Sequence, residues 1–472
     1  MQKHRYIGLL AGPLAFAFFL SFGLGLEGQQ SKMLAIGSWM VLWWVFEVFP
    51  IYITAMLPMV LFPTLGIMPL KETFAPYASP IVFLFFGGFL IALALEKHEV
   101  HKRIAYGLLR ITGTKPASVI LGIMLSTALI AMWISNTATA VMMLPIGISI
   151  VQLVSDSTLP KKESKQFAVL LMLTIAFSAN IGGIMTLIGT PPNLVFAAYH
   201  LEFTGVEMSF SSWLGYGIPL GIALLSGAYV IMVKILFPVG NKPIEGLDSM
   251  LHEKWNALGH LKLGERLVML VFGLTVFSWI FLPQINDLIG EKILSNTTVA
   301  MAGGLLMFMV PENLSKGKFL LHWKDTINLP WGIIILFGGG LALAAGLDQV
   351  GLIDLAANLM VSKSPGEGIL FIIPLVLLSI FLTEIMSNVA LVTVLLPVVF
   401  GIAEQLDVPV LALALPVTFA ASCAFMMPIS TPPNAIVYSS GMIKVDQMMK
   451  AGFWLNVFAT VIIALFGWFM LA

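Results

Sequence analysis

Polar residues are rare along this chain, and they are not scattered. Apolar runs of about 20 residues, the length that crosses roughly 30 Å of hydrocarbon as helix, recur at 6–26, 212–233, 267–283 and 452–472. Four short segments interrupt comparably apolar surroundings: Ser135-Asn136-Thr137, Ser387-Asn388-Val389, Gly189-Thr190-Pro191-Pro192-Asn193 and Ser430-Thr431-Pro432-Pro433-Asn434. Irregular backbone survives at membrane depth only when it is buried in protein or lines a cavity. The pattern therefore predicts an all-α polytopic membrane protein. It has broken spans over 166–203 and 409–440 and re-entrant helical hairpins over 117–153 and 367–402.

Composition agrees. Of 472 residues, 59% are hydrophobic and 10% are charged, against roughly 25% charged in soluble domains, and mean hydropathy is +0.98. Met1 to Arg5 ahead of an apolar run resembles a signal peptide, but the run is long and no small-residue cleavage site follows, so 1–34 is expected to be a retained first span. The single cysteine, Cys423, excludes a disulfide framework or a cysteine metal site. No basic tract suggests nucleic-acid binding.

Charge sets the orientation, because Lys and Arg are retained on the cytoplasmic side. With the N-terminus inside and each hairpin entering and leaving on one side, only Lys32, Lys71, Lys292 and Lys363 of the 24 basic residues fall outside. Treating either hairpin as a simple span spoils this bias. The count supports about eleven spans plus two hairpins, with the C-terminus outside.

The halves of the chain repeat. "FFGGFLIALALEKHEVHKRIA" from Phe85 is echoed by "LFGGGLALAAGLDQVGLIDLA" from Leu336, "SNTATAVMMLP" from Ser135 by "SNVALVTVLLP" from Ser387, and "GTPPN" from Gly189 by "STPPN" from Ser430. In the charge-derived topology the first glycine-rich span runs inward and the second outward. The expected plan is two inverted-topology repeats, 35–240 and 267–472, joined by a cytoplasmic connector over 241–266. In such plans substrate and coupling ions bind near the midplane at discontinuous helices.

At a broken helix the last carbonyls and first N–H groups lack intrahelical partners. Carbonyls with Ser, Thr and Asn oxygens suit a hard cation such as Na⁺, whereas N-terminal N–H groups attract an anion. The paired prolines Pro191-Pro192 and Pro432-Pro433 are expected to interrupt their spans and leave carbonyls free. No Lys, Arg or His lies in the four segments, so a multiply charged anion there needs accompanying cations. Cation-coupled anion uptake follows as the leading reading.

The paired Ser-Asn tips, the Thr-Pro-Pro-Asn breaks, "FLFFGGFLIALALEKHEVHKRIA" and "LTEIMSN" resemble the divalent anion/sodium symporter family, from about residue 35 to the C-terminus. The resemblance implies a homodimeric elevator-type transporter of dicarboxylates, citrate or sulfate, with Na⁺ as coupling ion and no organic cofactor. Spans 1–4 and 7–9 would form a scaffold, and the hairpins with spans 5, 6, 10 and 11 would carry substrate. It further implies one sodium site at Ser135, Asn136 and backbone near Gly189, and a second at Thr383, Asn388 and backbone near Met386 and Ser430. Substrate carboxylates would meet Asn136, Thr137, Thr190, Asn388 and Thr431. Two departures stand out: Ala131 occupies a position where relatives often carry Ser, and Val389 stands where the first tip has Thr137.

Other notable residues have plainer readings. Glu384 is expected to brace its hairpin by hydrogen bonding, Glu47 to sit at a span end, the glycine-rich stretches to allow close helix packing, and 97–115 to lie along the cytoplasmic surface. An intramembrane hydrolase would need a nucleophile with a positioned base, and no Ser or Cys at midplane depth has a His in a nearby motif. The expected function is therefore sodium symport of C4 dicarboxylates (succinate, malate or fumarate) in a bacterial inner membrane. Sodium-independent exchange, or sodium-coupled citrate or sulfate transport, are the alternatives.

Overall fold

Long apolar segments in a chain with few strand or loop signals condense into helices, and the computed structural model is helical almost throughout. It describes residues 2–156, 160–362 and 369–471. Lys363, and residues 367–368 at the start of the second expected hairpin, lie outside the described residues. Among the described residues nine helices are long and apolar enough to cross a membrane, from Arg5–Phe22 to Val445–Leu471. Shorter apolar helices such as Ile51–Leu65 and Asn296–Met309 lie among them. The described strands form one small antiparallel ribbon, Pro311–Asn313 with Lys318–Phe319.

Helix Pro116–Ala131 and helix Asn136–Asp156 meet at a short tip containing Ser135. Helices Ile369–Leu382 and Asn388–Gln405 meet likewise, with Ser387 as the cap of the second leg. Lys161–Ile184 is followed, after a break, by Pro191–Thr204, and Val410–Ala421 by Pro432–Ser439. The first hairpin packs on Lys161–Ile184 and the second on Val410–Ala421. The halves then exchange partners: Asn136–Asp156 contacts Pro432–Ser439, and Asn388–Gln405 contacts Pro191–Thr204.

One expectation changes here. The paired prolines do not end the first half-helices, which stop earlier, at Ile184 and Ala421. Pro191-Pro192 and Pro432-Pro433 instead open the second half-helices, where proline's fixed φ suits the first turn and its missing N–H has no intrahelical acceptor to satisfy. The broken stretches, 185–190 and 422–431, therefore precede the prolines.

Small residues allow the close approaches on which these crossings depend. A Cβ on Gly87 would lie 2.5 Å from the Ala300 backbone, and one on Gly339 2.2 Å from the Ala55 carbonyl. Both glycine-rich helices, Pro80–Lys97 and Trp331–Gln349, thus press on a neighbouring backbone, and Phe85 and Phe337 bring their rings to 4.2 Å where the two helices meet. The breaks are approached in the same manner: a Cβ on Gly217 would sit 2.7 Å from Met185 O, and one on Gly452 2.2 Å from Phe425 O.

The amphipathic helix Val100–Thr112 anchors the connector, whose helix is Leu247–Leu258. Arg103 Nε meets Glu265 Oε2 at 2.5 Å, and its guanidinium donates to the carbonyls of Leu258, Gly259 and His260, each at 3.1 Å. Arg110 lies 5.1 Å over the Trp255 ring.

Gly339→Ala is expected to lower thermal stability in detergent, at an overpacking cost of about 1–3 kcal/mol. Gly273→Ala, where no atom beyond its own helix turn lies within 4 Å of the added carbon, is expected to raise the melting temperature slightly, since Ala is favoured over Gly inside a helix by about 0.5–1 kcal/mol.

Candidate functional site: two hairpin tips facing two helix breaks

Each helix break exposes carbonyls on one side and N–H groups on the other, and one asparagine spans each break. Asn193 Nδ2 donates to Gly183 O at 2.9 Å and Thr186 O at 2.7 Å. Asn434 Nδ2 donates to Ala424 O at 3.1 Å, Met427 O at 3.0 Å and Ser430 Oγ at 3.2 Å. Both side chains are fully buried. An amide nitrogen thus joins the donors at these carbonyls: Thr186 O also accepts from Gly189 N and Met427 O from Ser430 N, each at 3.3 Å, whereas no backbone donor among the described residues meets Gly183 O.

The hairpin tips are fastened to the breaks by different chemistry in the two repeats. In the first, the Thr186 hydroxyl donates to the Met132 carbonyl. In the second, the side chain comes from the hairpin: Glu384 Oε1 accepts from Phe425 N, Met426 N and Asn456 Nδ2, each at 2.8 Å, and Oε2 accepts from Met427 N at 3.0 Å. Glu384 is 4% exposed. Four N–H donors on one carboxylate explain how a charge is tolerated there, and give Glu384 the bracing role expected from the sequence.

Oxygen atoms cluster behind each tip. Asn136 lies against Gly183, whose added Cβ would be 2.4 Å from Asn136 Oδ1, and this buried oxygen has no hydrogen-bond partner. The Gly183 and Ala131 carbonyls close around Gly189, at 2.6 and 3.1 Å from where its Cβ would be. Ser135 Oγ, at the same tip, accepts from Ala138 N at 3.3 Å. Behind the second tip, Thr383 Oγ1 lies 2.7 Å from Asn388 Oδ1 and 2.6 Å from the Ala421 carbonyl. One hydroxyl proton serves one acceptor, so three oxygens converge with too few protons among them. That is a setting for a hard, oxygen-seeking cation.

In front of the tips lies a cavity of about 1070 Å³. It brings together Ser135, Asn136, Thr137, Thr190, Pro191, Pro192, Asn388, Ser430, Thr431, Pro432 and Pro433. Gly189, Thr383 and Met386 do not line it; all three are buried. The N-termini of four helices, at Asn136, Pro191, Asn388 and Pro432, therefore face one space. Each is the positive end of its helix dipole. At Pro191 and Pro432, however, the two leading prolines supply no N–H, so fewer donors point into the cavity there than at Asn136 and Asn388. Arg5 is the one basic side chain lining the cavity among the described residues, in company with Glu47 and Glu96.

Sequence reasoning missed three contributors. Asn193 and Asn434 close the two repeated Thr-Pro-Pro-Asn motifs, so their shared position was the available signal. Asn180, also in the cavity wall, has no such signal: ten residues before Thr431, where a repeat partner would stand, the chain has Ala421.

A profile of the sodium:sulfate symporter transmembrane region matches residues 3–472. The chain is similar to the sodium-dependent dicarboxylate transporter SdcS of Staphylococcus saprophyticus, with 35% identity over 99% of this chain and 91% of that protein. SdcS of Staphylococcus aureus (strain USA300) is 34% identical over the same shares. Among solved structures, the YdaH transporter of Alcanivorax borkumensis aligns with TM-score 0.58 at 13% identity, covering 84% of this chain and 86% of that one. MtrF of Neisseria gonorrhoeae, described as one of a class of antimetabolite efflux pumps, aligns at 0.57 and 11%, covering 87% and 85%. These two likenesses concern the fold.

Asn434→Asp replaces a donor by an acceptor facing carbonyls. It is expected to destabilise the protein by about 1–3 kcal/mol, the cost of turning a buried acceptor onto carbonyls that lose a donor, read as a lower melting temperature in detergent, with Asn193→Asp behaving alike.

Proposed function

We propose a transport cycle for this chain, which belongs to the sodium:sulfate symporter family and is a multi-pass membrane protein. It imports a C4 dicarboxylate together with sodium, by an elevator movement. The observation that carries this reading is the convergence of four helix N-termini on one cavity whose tips hold no basic side chain. A dianion there finds N–H dipoles and hydroxyl and amide donors but little formal positive charge. The sodium ions held by the two oxygen clusters behind the tips supply it.

Ser135, Asn136 and backbone near Gly189 form the first cation site; Thr383, Asn388 and backbone near Met386 and Ser430 form the second, to which the Ala421 carbonyl is added. Asn136, Thr137, Thr190, Asn388 and Thr431 meet the substrate carboxylates. The names of the staphylococcal relatives favour sodium and a dicarboxylate. Asn136 and Asn388 touch both kinds of ligand, so substrate and sodium bind as linked partners, each raising the other's affinity.

The hairpins and the spans packed on them move as one body past a scaffold of spans 1–4 and 7–9, which also forms a homodimer. The surface between them suits sliding. Ile134, at the first tip, lines both the main cavity and a smaller one of about 270 Å³ bounded mostly by apolar side chains such as Leu95, Ile104, Met269 and Phe272, together with His101. That surface is mostly apolar and incompletely filled. The N-terminus lies inside a bacterial inner membrane and the C-terminus outside. With Arg5 and Glu96 in its wall, the cavity faces the cytoplasm.

Sodium-independent exchange is the second reading, favoured by Ala131, which offers the first cation cluster a carbonyl and no hydroxyl.

In proteoliposomes, succinate uptake is expected to require an inward sodium gradient and to generate a membrane potential. Uptake driven only by internal succinate would establish exchange, and none under either condition would move the substrate to citrate or sulfate. Asn136→Ala and Asn388→Ala are each expected to abolish uptake while the protein remains folded by size-exclusion chromatography. Thr383→Ala is expected to shift the sodium titration several-fold to higher concentration with a smaller effect on maximal rate; an unchanged titration would remove the second cation site.

A further inference from the structure

We propose that Asn180 is a positioning residue that commits the Thr431 hydroxyl to donating its proton, and so assigns Thr431 to the substrate carboxylate rather than to sodium. The inference rests on reading the cavity as a dicarboxylate site. Asn180 is 1% exposed and belongs to the first repeat, yet its amide reaches into the second break. Its Nδ2 donates to Ala424 O at 3.3 Å and to Thr431 Oγ1 at 3.2 Å. The carbonyl fixes which end of the amide points this way, because a carbonyl accepts and cannot donate. The group facing Thr431 is therefore N–H.

Thr431 Oγ1 also accepts from Asn434 N at 3.4 Å, capping the helix Pro432–Ser439. A hydroxyl has two acceptor positions and one proton. Both acceptor positions are taken by nitrogens that can only donate, so neither lone pair remains for a cation and only the O–H is left. Thr431 lines the cavity, and a proton free to point into that space seeks an acceptor such as a carboxylate oxygen.

The first repeat provides an internal contrast. Thr190 caps its helix with no side-chain hydrogen bond, and the repeat partner of Asn180 is Ala421, which has no amide. Thr190 remains free to donate or accept. The two equivalent threonines thus differ in what they can bind, and the difference originates in one residue of the opposite repeat.

The test is a double-substitution cycle on the full-length protein, measuring succinate binding in saturating sodium and, separately, the sodium titration. Asn180→Ala is expected to raise the half-saturating succinate concentration about tenfold, the loss of one hydrogen bond to a charged group, and to leave the sodium titration within about twofold, a shift well under one such bond. In a Thr431→Val background the same substitution is expected to add nothing. In a Thr431→Ser background, which keeps the hydroxyl, the full effect is expected to return. Independent, additive losses from Asn180→Ala and Thr431→Val, or a sodium shift as large as the succinate shift, would overturn the role given to Asn180. Absence of succinate binding by the unsubstituted protein would overturn the substrate reading instead. Should Asn180→Ala not fold, Asn180→Ser removes the reach with less change in polarity and carries the same expectations.

Discussion

Two helices are interrupted inside this protein, and every backbone group released there must be satisfied within the protein or at the wall of the cavity. Most of the site's architecture follows from that constraint. At the breaks the chain uses side-chain amides to supplement the backbone: Asn193 holds the carbonyl of Gly183 in the first half-helix and that of Thr186 in the break, and Asn434 holds those of Ala424 and Met427 within its own break. A side-chain amide satisfies carbonyls without adding charge, whereas a lysine would add a fixed positive charge that repels cations. The same economy of charge explains why the one carboxylate at a tip, Glu384, is surrounded by four N–H donors.

The repeats share geometry and differ in chemistry. Both tips lean on both breaks, but the first is tied by Thr186 from the broken helix and the second by Glu384 from the hairpin. The second junction also recruits Asn456 of the last helix; glycines on the helices Phe210–Tyr229 and Val445–Leu471 meet their breaks at backbone distance. Duplication evidently constrains where chain ends meet more tightly than which atoms join them. The consequence is chemical asymmetry: the oxygen clusters behind the two tips are built from different atoms, and the two cavity threonines have different hydrogen-bonding freedom.

Polarity is segregated by helix direction. Carbonyl ends of the first half-helices sit behind the tips with the amide and hydroxyl oxygens, while the N-terminal ends of the second half-helices face the cavity. In the cycle we propose, cations and an anion meet adjacent but distinct surfaces of the same residues, Asn136 and Asn388. Adjacency of opposite charges in a medium of low dielectric constant makes each ligand's affinity depend on the other, which is the thermodynamic basis of coupling.

Much of this was legible along the chain. Membrane depth, the interruptions and the duplication are local or periodic properties, so they survive in one dimension; Ser135, Asn136, Thr190, Asn388 and Thr431 stand out because polar residues are costly in hydrocarbon and these recur in register, whereas Thr137 stands out by polarity alone. The start of the half-helices at the prolines, rather than their ending there, was misplaced because proline's signal is the same for a helix that stops and one that begins. Contacts between repeats left no trace in the sequence. Asn180 looks like any isolated asparagine until folding carries it to Ala424 and Thr431, hundreds of positions away, and only then does a carbonyl decide which end of its amide points forward. Chemistry and periodicity were written by residue type, whereas hydrogen-bond direction was decided by tertiary structure, because a donor acquires its role only from the acceptor it is brought to face.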